Sequence, residues 1–194
     1  MDAAFHRLLG RPQERRLQLT MRNRGFTLIE LLIGLAIAAF LMLLALPSMT
    51  EFMANTRIRN TVDSIANGAR QAQMEAIKRN RDVQFLIDPA VGWTINDPHP
   101  DLGGVAQAEP FNVSDVVVDE VPAGSLKATF TALGQFGKPN PDDATAPFEA
   151  VDVSSPAGTT NLRVVIDPLH GVGIRVCNPA YTFPADPNGC PATP

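Results

Sequence analysis

Glu30 is a carboxylate set in an apolar run, residues 26–46, in which Thr27 is the only other polar side chain. Near a membrane an unpaired carboxylate costs about 3 kcal/mol even on lenient insertion scales, so a partner is expected. No basic side chain lies within that run. Cleavage after Gly25 would give Phe26 a free α-amino group, mostly charged near neutral pH and about one helical turn from Glu30. The pair can close within one chain or between neighbouring helices, where it also fixes their axial register. The plainer alternative is a glutamate tolerated because it sits near the interface.

Cys177 and Cys190 are the only cysteines, and no histidine lies between them. Two thiols alone cannot complete a zinc site. The segment between them is rich in proline, and a disulfide there would contribute about 3 kcal/mol in the chain-entropy model and imply an oxidising compartment. Two free thiols are the alternative. The histidines are His6, His99 and His170. Asp97-Pro98-His99-Pro100-Asp101 matches no metal geometry and is expected to be a solvated turn. Asp142-Asp143 and Asp186-Pro187-Asn188-Gly189 are turn chemistry first, with calcium left open. No nucleophile triad, phosphate loop or paired-carboxylate setting stands out, so neither catalysis nor a cofactor or metal is expected.

The elements that must carry Glu30 follow from charge and hydropathy. Residues 1–25 hold six arginines against Asp2 and Glu14, whereas residues 26–47 have Glu30 alone as an ionisable group. Residues 48–81 hold six basic groups against three acidic ones, and residues 82–194 only four basic groups against fourteen acidic. A helix over the apolar run would be about 30 Å long, enough to span a hydrocarbon core. The arginines before it place its N-terminus in the cytoplasm and the rest of the chain outside. A cleaved secretory signal is the competing reading, against which stand the length of the run and the helical pattern beyond it.

Past Pro47, which permits a kink or local melting, Ile58, Val62, Ile65, Ala69, Ala72 and Ala76 recur at steps of three and four. They form one face of an amphipathic continuation over residues 48–81, with Ile77 beside it. Arg59, Arg70, Lys78 and Arg81 project away from that face and Arg57 and Arg79 flank it, which reads as a solvated basic face able to attract neighbouring subunits, with a nucleic-acid surface as the alternative. Beyond residue 81 the period changes to two. Strands are expected at 82–87, 93–95, 113–118, 126–131, 162–166 and 173–176. The predicted fold is α+β: a leader 1–25, a membrane helix 26–47, its continuation 48–81 and an antiparallel β-rich head 82–194.

Gly25-Phe26-Thr27-Leu28-Ile29-Glu30 behind a basic leader resembles the N-terminus of type IV pilins and of the pseudopilins of type II secretion. The body, with Gly92-Trp93, Phe130-Thr131-Ala132-Leu133-Gly134, Asp167-Pro168-Leu169 and Arg175-Val176-Cys177, is similar to the GspH/FimT branch of that group. The resemblance implies a structural subunit of a filament anchored in the bacterial inner membrane, a minor pseudopilin or a minor type IV pilin. It implies that a prepilin peptidase cuts after Gly25 and methylates Phe26. By the same resemblance Glu30 pairs with a neighbour's terminus, Pro47 matches a frequent helix proline, and the partners are other pilins. A compact leader beginning at Met21 is expected in place of one beginning at Met1. Some minor pilins of this branch bind DNA through Gly-Arg-x-Arg; here the matching residues are Val172-Gly173-Ile174-Arg175, with one arginine of the two. A head this acidic repels a polyanion, so DNA is disfavoured and Arg175, the one candidate nucleic-acid contact, reads as a structural or rim residue.

Overall fold

The computed structural model describes residues 25–99, 104–111, 115–167 and 173–191. Residues 1–24, which make up nearly all of the expected leader 1–25, the expected strand start at 113–114, Pro100, Asp101, Pro168, Leu169, His170 and Val172 lie outside them. Helix α1 runs from Leu28 to Arg79 and continues through Pro47. Proline has no N–H to offer the Leu43 carbonyl. Around it, hydroxyls supply extra donors: Ser48 Oγ to the Ala45 carbonyl at 2.9 Å and Thr50 Oγ1 to the Pro47 carbonyl at 2.8 Å. The helix stops at Asn80, which takes φ 53°. The Asn80 and Arg81 N–H groups reach back to the carbonyls of Ile77 and Ala76, both at 3.2 Å, the hydrogen-bond pattern of a left-handed C-cap.

Among the described residues nine strands follow: β1 Val83–Asp88, β2 Gly92–Asp97, β3 Gly104–Pro110, β4 Val117–Val121, β5 Lys127–Phe130, β6 Ala150–Ser154, β7 Leu162–Asp167, β8 Gly173–Thr182 and β9 Gly189–Cys190. They form two sheets, ordered β3-β2-β1-β5 and β4-β6-β7-β8-β9. All pairings are antiparallel except the short parallel pair β8–β9. The α+β class stands, with a mixed second sheet in place of a purely antiparallel one. The sheets are stitched at one segment: the Phe148 N–H donates to Lys127 of β5, and the Glu149 N–H to Val121 of β4.

One core joins α1 to both sheets. Ile58, Val62, Ile65, Ala69, Ala72 and Ala76 are all fully buried, as their spacing predicts. Alternation along β1 turns Val83, Phe85 and Ile87 inward. The helix approaches β2 closely because Gly68 has no side chain; a Cβ there would meet the Trp93 ring at 2.8 Å. The freed space takes the indole, whose Nε1 donates to Ser64 Oγ at 2.9 Å. Phe85 packs between Trp93 and Phe148, with ring centres 5.7 and 6.1 Å away.

Candidate assembly site

Gly25 and Phe26 lie in non-helical, exposed chain directly ahead of α1, with Phe26 84% exposed. Thr27 caps the helix: its Oγ1 accepts the Glu30 N–H at 3.3 Å. Glu30 is thus in the first turn, where the positive end of the helix dipole favours a carboxylate. Every residue from 25 to 53 is exposed, and the most apolar stretch of α1 has a mean hydropathy of 2.7. An apolar surface of this extent needs a covering of lipid or other helices.

The basic stripe departs from expectation, because the β-rich region neutralises much of it. Arg57 pairs with Asp115. Arg79 Nη1 lies 3.1 Å and Arg81 Nη1 3.7 Å from Asp97 Oδ2. Arg70 donates to the Ile174 carbonyl at 3.2 Å. Asp97 is therefore not part of a solvated turn; it ends β2, is 3% exposed and also accepts the His99 N–H at 3.1 Å. A carboxylate can be buried there because two guanidinium groups at the end of α1 face it. Arg79 also donates to Glu75 at 2.8 Å. Its pKa is raised, first by the Glu75 bond and then by Asp97, while Glu75 is lowered by Arg79 and then Lys78. Ile77, expected beside the buried face, is largely exposed.

Asp142 and Asp143 form an ionic turn around Lys127. Lys127 Nζ donates to Asp142 at 2.6 Å and to Asp143. Gln84 Nε2 donates to Asp142 at 2.8 Å, and Thr145 donates to Asp143 through its N–H at 3.0 Å and its hydroxyl at 2.7 Å. The bonds from Lys127 and then Thr145 hold the Asp143 carboxyl down at about 2. Burial works against the charge on Lys127, but the two carboxylates prevail and raise its pKa. Among the described residues no group of three or more His, Cys, Asp or Glu side chains is placed to hold a metal ion.

Cys177 and Cys190 are bonded to each other and buried. The bond ties β9 to β8, and the turn at Asp186 is closed by its Oδ1 accepting the Asn188 N–H at 2.7 Å. Arg175 belongs to the same strap: its guanidinium lies 4.7 Å from the Phe183 ring centre and donates to the Pro187 carbonyl. A second tie has no periodic signal in the sequence. Asn55 Oδ1 accepts the N–H groups of Thr159 and Thr160 at 3.1 and 3.2 Å, and Glu51 accepts the Thr159 hydroxyl at 2.8 Å. These bonds dock α1 on the β6–β7 turn. The turn passes so close that a Cβ on Gly158 would meet Ile58 at 2.9 Å.

The prokaryotic N-terminal methylation motif matches residues 20–46, which take in the exposed first part of α1. No curated protein sequence matches the chain. The crystal structure of the type IV minor pilin FimU from Pseudomonas aeruginosa is similar at a TM-score of 0.47 and 17% identity, over 66% of this chain and 91% of that one. The model of the family described as type II transport protein GspH matches residues 61–170, from the buried face of α1 to the end of β7. That is more than half of the sequence, and the chain belongs to the GspH family.

Proposed function

We propose that the chain is a minor pseudopilin, a structural subunit of the type II secretion pseudopilus. The observation that carries this reading is the GspH match over residues 61–170 on the same chain as a methylation motif at residues 20–46. The peptidase cuts after Gly25 and methylates Phe26. Residues 26–47 then anchor the subunit as a single pass in the inner membrane, N-terminus cytoplasmic and residues 48–194 periplasmic. Glu30 neutralises the Phe26 amine of a neighbouring pilin-like subunit, and a carboxylate at a helix start fits that pairing. The work is templating and packing, with no bond made or broken in a substrate.

Replacing the gene by one encoding Glu30→Ala tests this in the bacterium that makes the protein. Export of type II substrates into the medium is expected to collapse while surface pili persist. Intact export in the gene deletion itself would overturn the reading. Loss of pili with intact export would assign the chain instead to a minor type IV pilin, the reading that the disulfide-bonded C-terminal strap favours. DNA uptake has little physical support: Arg175 is engaged with Phe183 and Pro187 in an acidic region. A salt-dependent DNA shift abolished by Arg175→Ala would reverse that judgement.

A further inference from the structure

Just beyond the expected membrane segment, α1 keeps an apolar surface that the β-rich region leaves bare. Met49, Phe52 and Met53 are 59%, 67% and 48% exposed. At about 1.5 Å of rise per residue they lie about 3–9 Å past Pro47, and side chains on a helix lean back towards its N-terminus. A headgroup layer is about 5–8 Å deep on each side of the hydrocarbon core. With Pro47 at the inner boundary of that layer, all three side chains fall within it. Large apolar side chains on a helix surface are at home there, half in lipid and half in water.

The β6–β7 turn is fixed at the same level. Glu51 Oε1 accepts the Thr159 hydroxyl, and Asn55 accepts the N–H groups of Thr159 and Thr160. Those two anchor points are about 6 and 12 Å past Pro47 along α1. The turn also differs in composition from the rest of the β-rich region. Residues 82–194 hold fourteen acidic groups against four basic ones, yet residues 153–162 hold no ionisable side chain. Pro156, Ala157, Thr159 and Asn161 are exposed there. An anionic lipid surface repels carboxylates over about a Debye length, ~8 Å at physiological salt. A small, uncharged, hydroxyl-bearing loop can lie against such a surface where the acidic remainder cannot. Glu51 is the acidic exception, and its carboxylate is turned to the loop. Asp115, near the next turn of α1, is paired with Arg57.

We infer that Phe52, Met53 and the β6–β7 turn together rest on the phospholipid headgroups of the membrane that holds α1, seating the β-rich region on the bilayer in the unassembled subunit. The inference rests on the membrane anchor of the reading above and adds what the periplasmic part touches.

Fluorescence quenching in the processed full-length chain tests it. Both native cysteines are consumed in their own bond, so an introduced thiol is the only free one. One chain carries Ala157→Cys on the turn. The control carries Leu133→Cys, at a side chain 77% exposed in a turn that Gln73 Nε2 holds through the Gly134 carbonyl at 2.7 Å. Gln73 is about 27 Å farther along α1 than Asn55. Each thiol takes a fluorophore, and the chains are reconstituted in vesicles of phosphatidylethanolamine and phosphatidylglycerol containing a lipid with a nitroxide on its headgroup. The label at 157 is expected to be quenched and the label at 133 to stay at background. Phe52→Asp, which puts a carboxylate into the headgroup layer, should abolish the quenching at 157 and leave unfolding reported by Trp93 unchanged. Equal quenching at both sites would overturn the inference, as would quenching at 157 that survives Phe52→Asp. So would no quenching at 157, the result if Phe52 is instead covered by a neighbouring helix. Chains that float with the vesicles and fail these tests sink the seating alone, whereas chains that do not float sink the membrane anchor with it.

Discussion

Two stretches of α1 are apolar for different reasons, and their residues differ accordingly. Between Leu28 and Leu46 the large side chains are leucine, isoleucine, phenylalanine and methionine, each 52–78% exposed. Between Ala54 and Ala76 the buried face is alanine, glycine, valine and isoleucine with one threonine. The first stretch maximises apolar area for a surrounding that is not part of the chain. The second minimises bulk so that a sheet bearing Phe85 and Trp93 can approach the helix axis. Apolar content alone does not separate the two; residue volume does.

Substitutions in the two stretches should therefore be felt in different assays. Trp93, the only tryptophan, reports unfolding of the β-rich region by fluorescence in detergent-solubilised full-length protein. Phe85→Ala empties the centre of the core and should lower unfolding stability by about 3–5 kcal/mol. Leu35→Arg should leave that unfolding unchanged but cost about 3 kcal/mol at mid-membrane, read as loss from the membrane fraction. A drop in Trp93-reported stability in Leu35→Arg would erase the distinction. Gly68→Val drives a methyl-bearing side chain into the indole and should cost about 1–3 kcal/mol, whereas Gly34→Val, with open space around it, should cost the fold nothing measurable.

The smallest effect is electrostatic. Asp143 titrates at about 2 in the folded chain against 3.8 ordinarily. The unfolded chain thus binds that proton first as pH falls. The stabilisation is complete above 3.8, fades below it and is gone once pH passes below about 2. Acid titration followed at Trp93 should show this limb, and Lys127→Met should flatten it.

Local patterns carried much of this architecture. The helix face from Ile58 to Ala76 was legible because burial on a helix repeats at 3.6 residues. Strands β1, β2, β5 and β7 were legible through alternation and bounding turns. What failed depended on distant partners. β3, Gly-Val-Ala-Gln-Ala-Glu-Pro, has little β-branched content and is a strand because β2 pairs with it. β6 alternates well, but its five residues follow a proline-rich loop that obscures it. The strand expected at 113–118 begins instead at Val117 and runs to Val121, in register with β6. β8 continues past Val176 to Thr182, and β9 pairs with it where the Cys177–Cys190 bond brings the two together. Asp97 looked like turn chemistry because its type and its proline neighbour say so; its burial depends on arginines 79 and 81, set by how α1 ends. The Asn55 clamp was illegible for the same reason, since its partners lie more than a hundred residues away. At the N-terminus the signal was local throughout, from Gly25 to the cap at Thr27 and the carboxylate at Glu30.

That local signal makes a chemical claim that one measurement decides. The membrane-bound chain, isolated from cells containing the prepilin peptidase, is digested and its N-terminal peptide is weighed by mass spectrometry. The expected product is a chain beginning at Phe26 with one methyl group on its α-nitrogen. A membrane-bound chain still carrying Gly25 and the residues before it would leave Glu30 without the amine that justifies it, and would contradict the account.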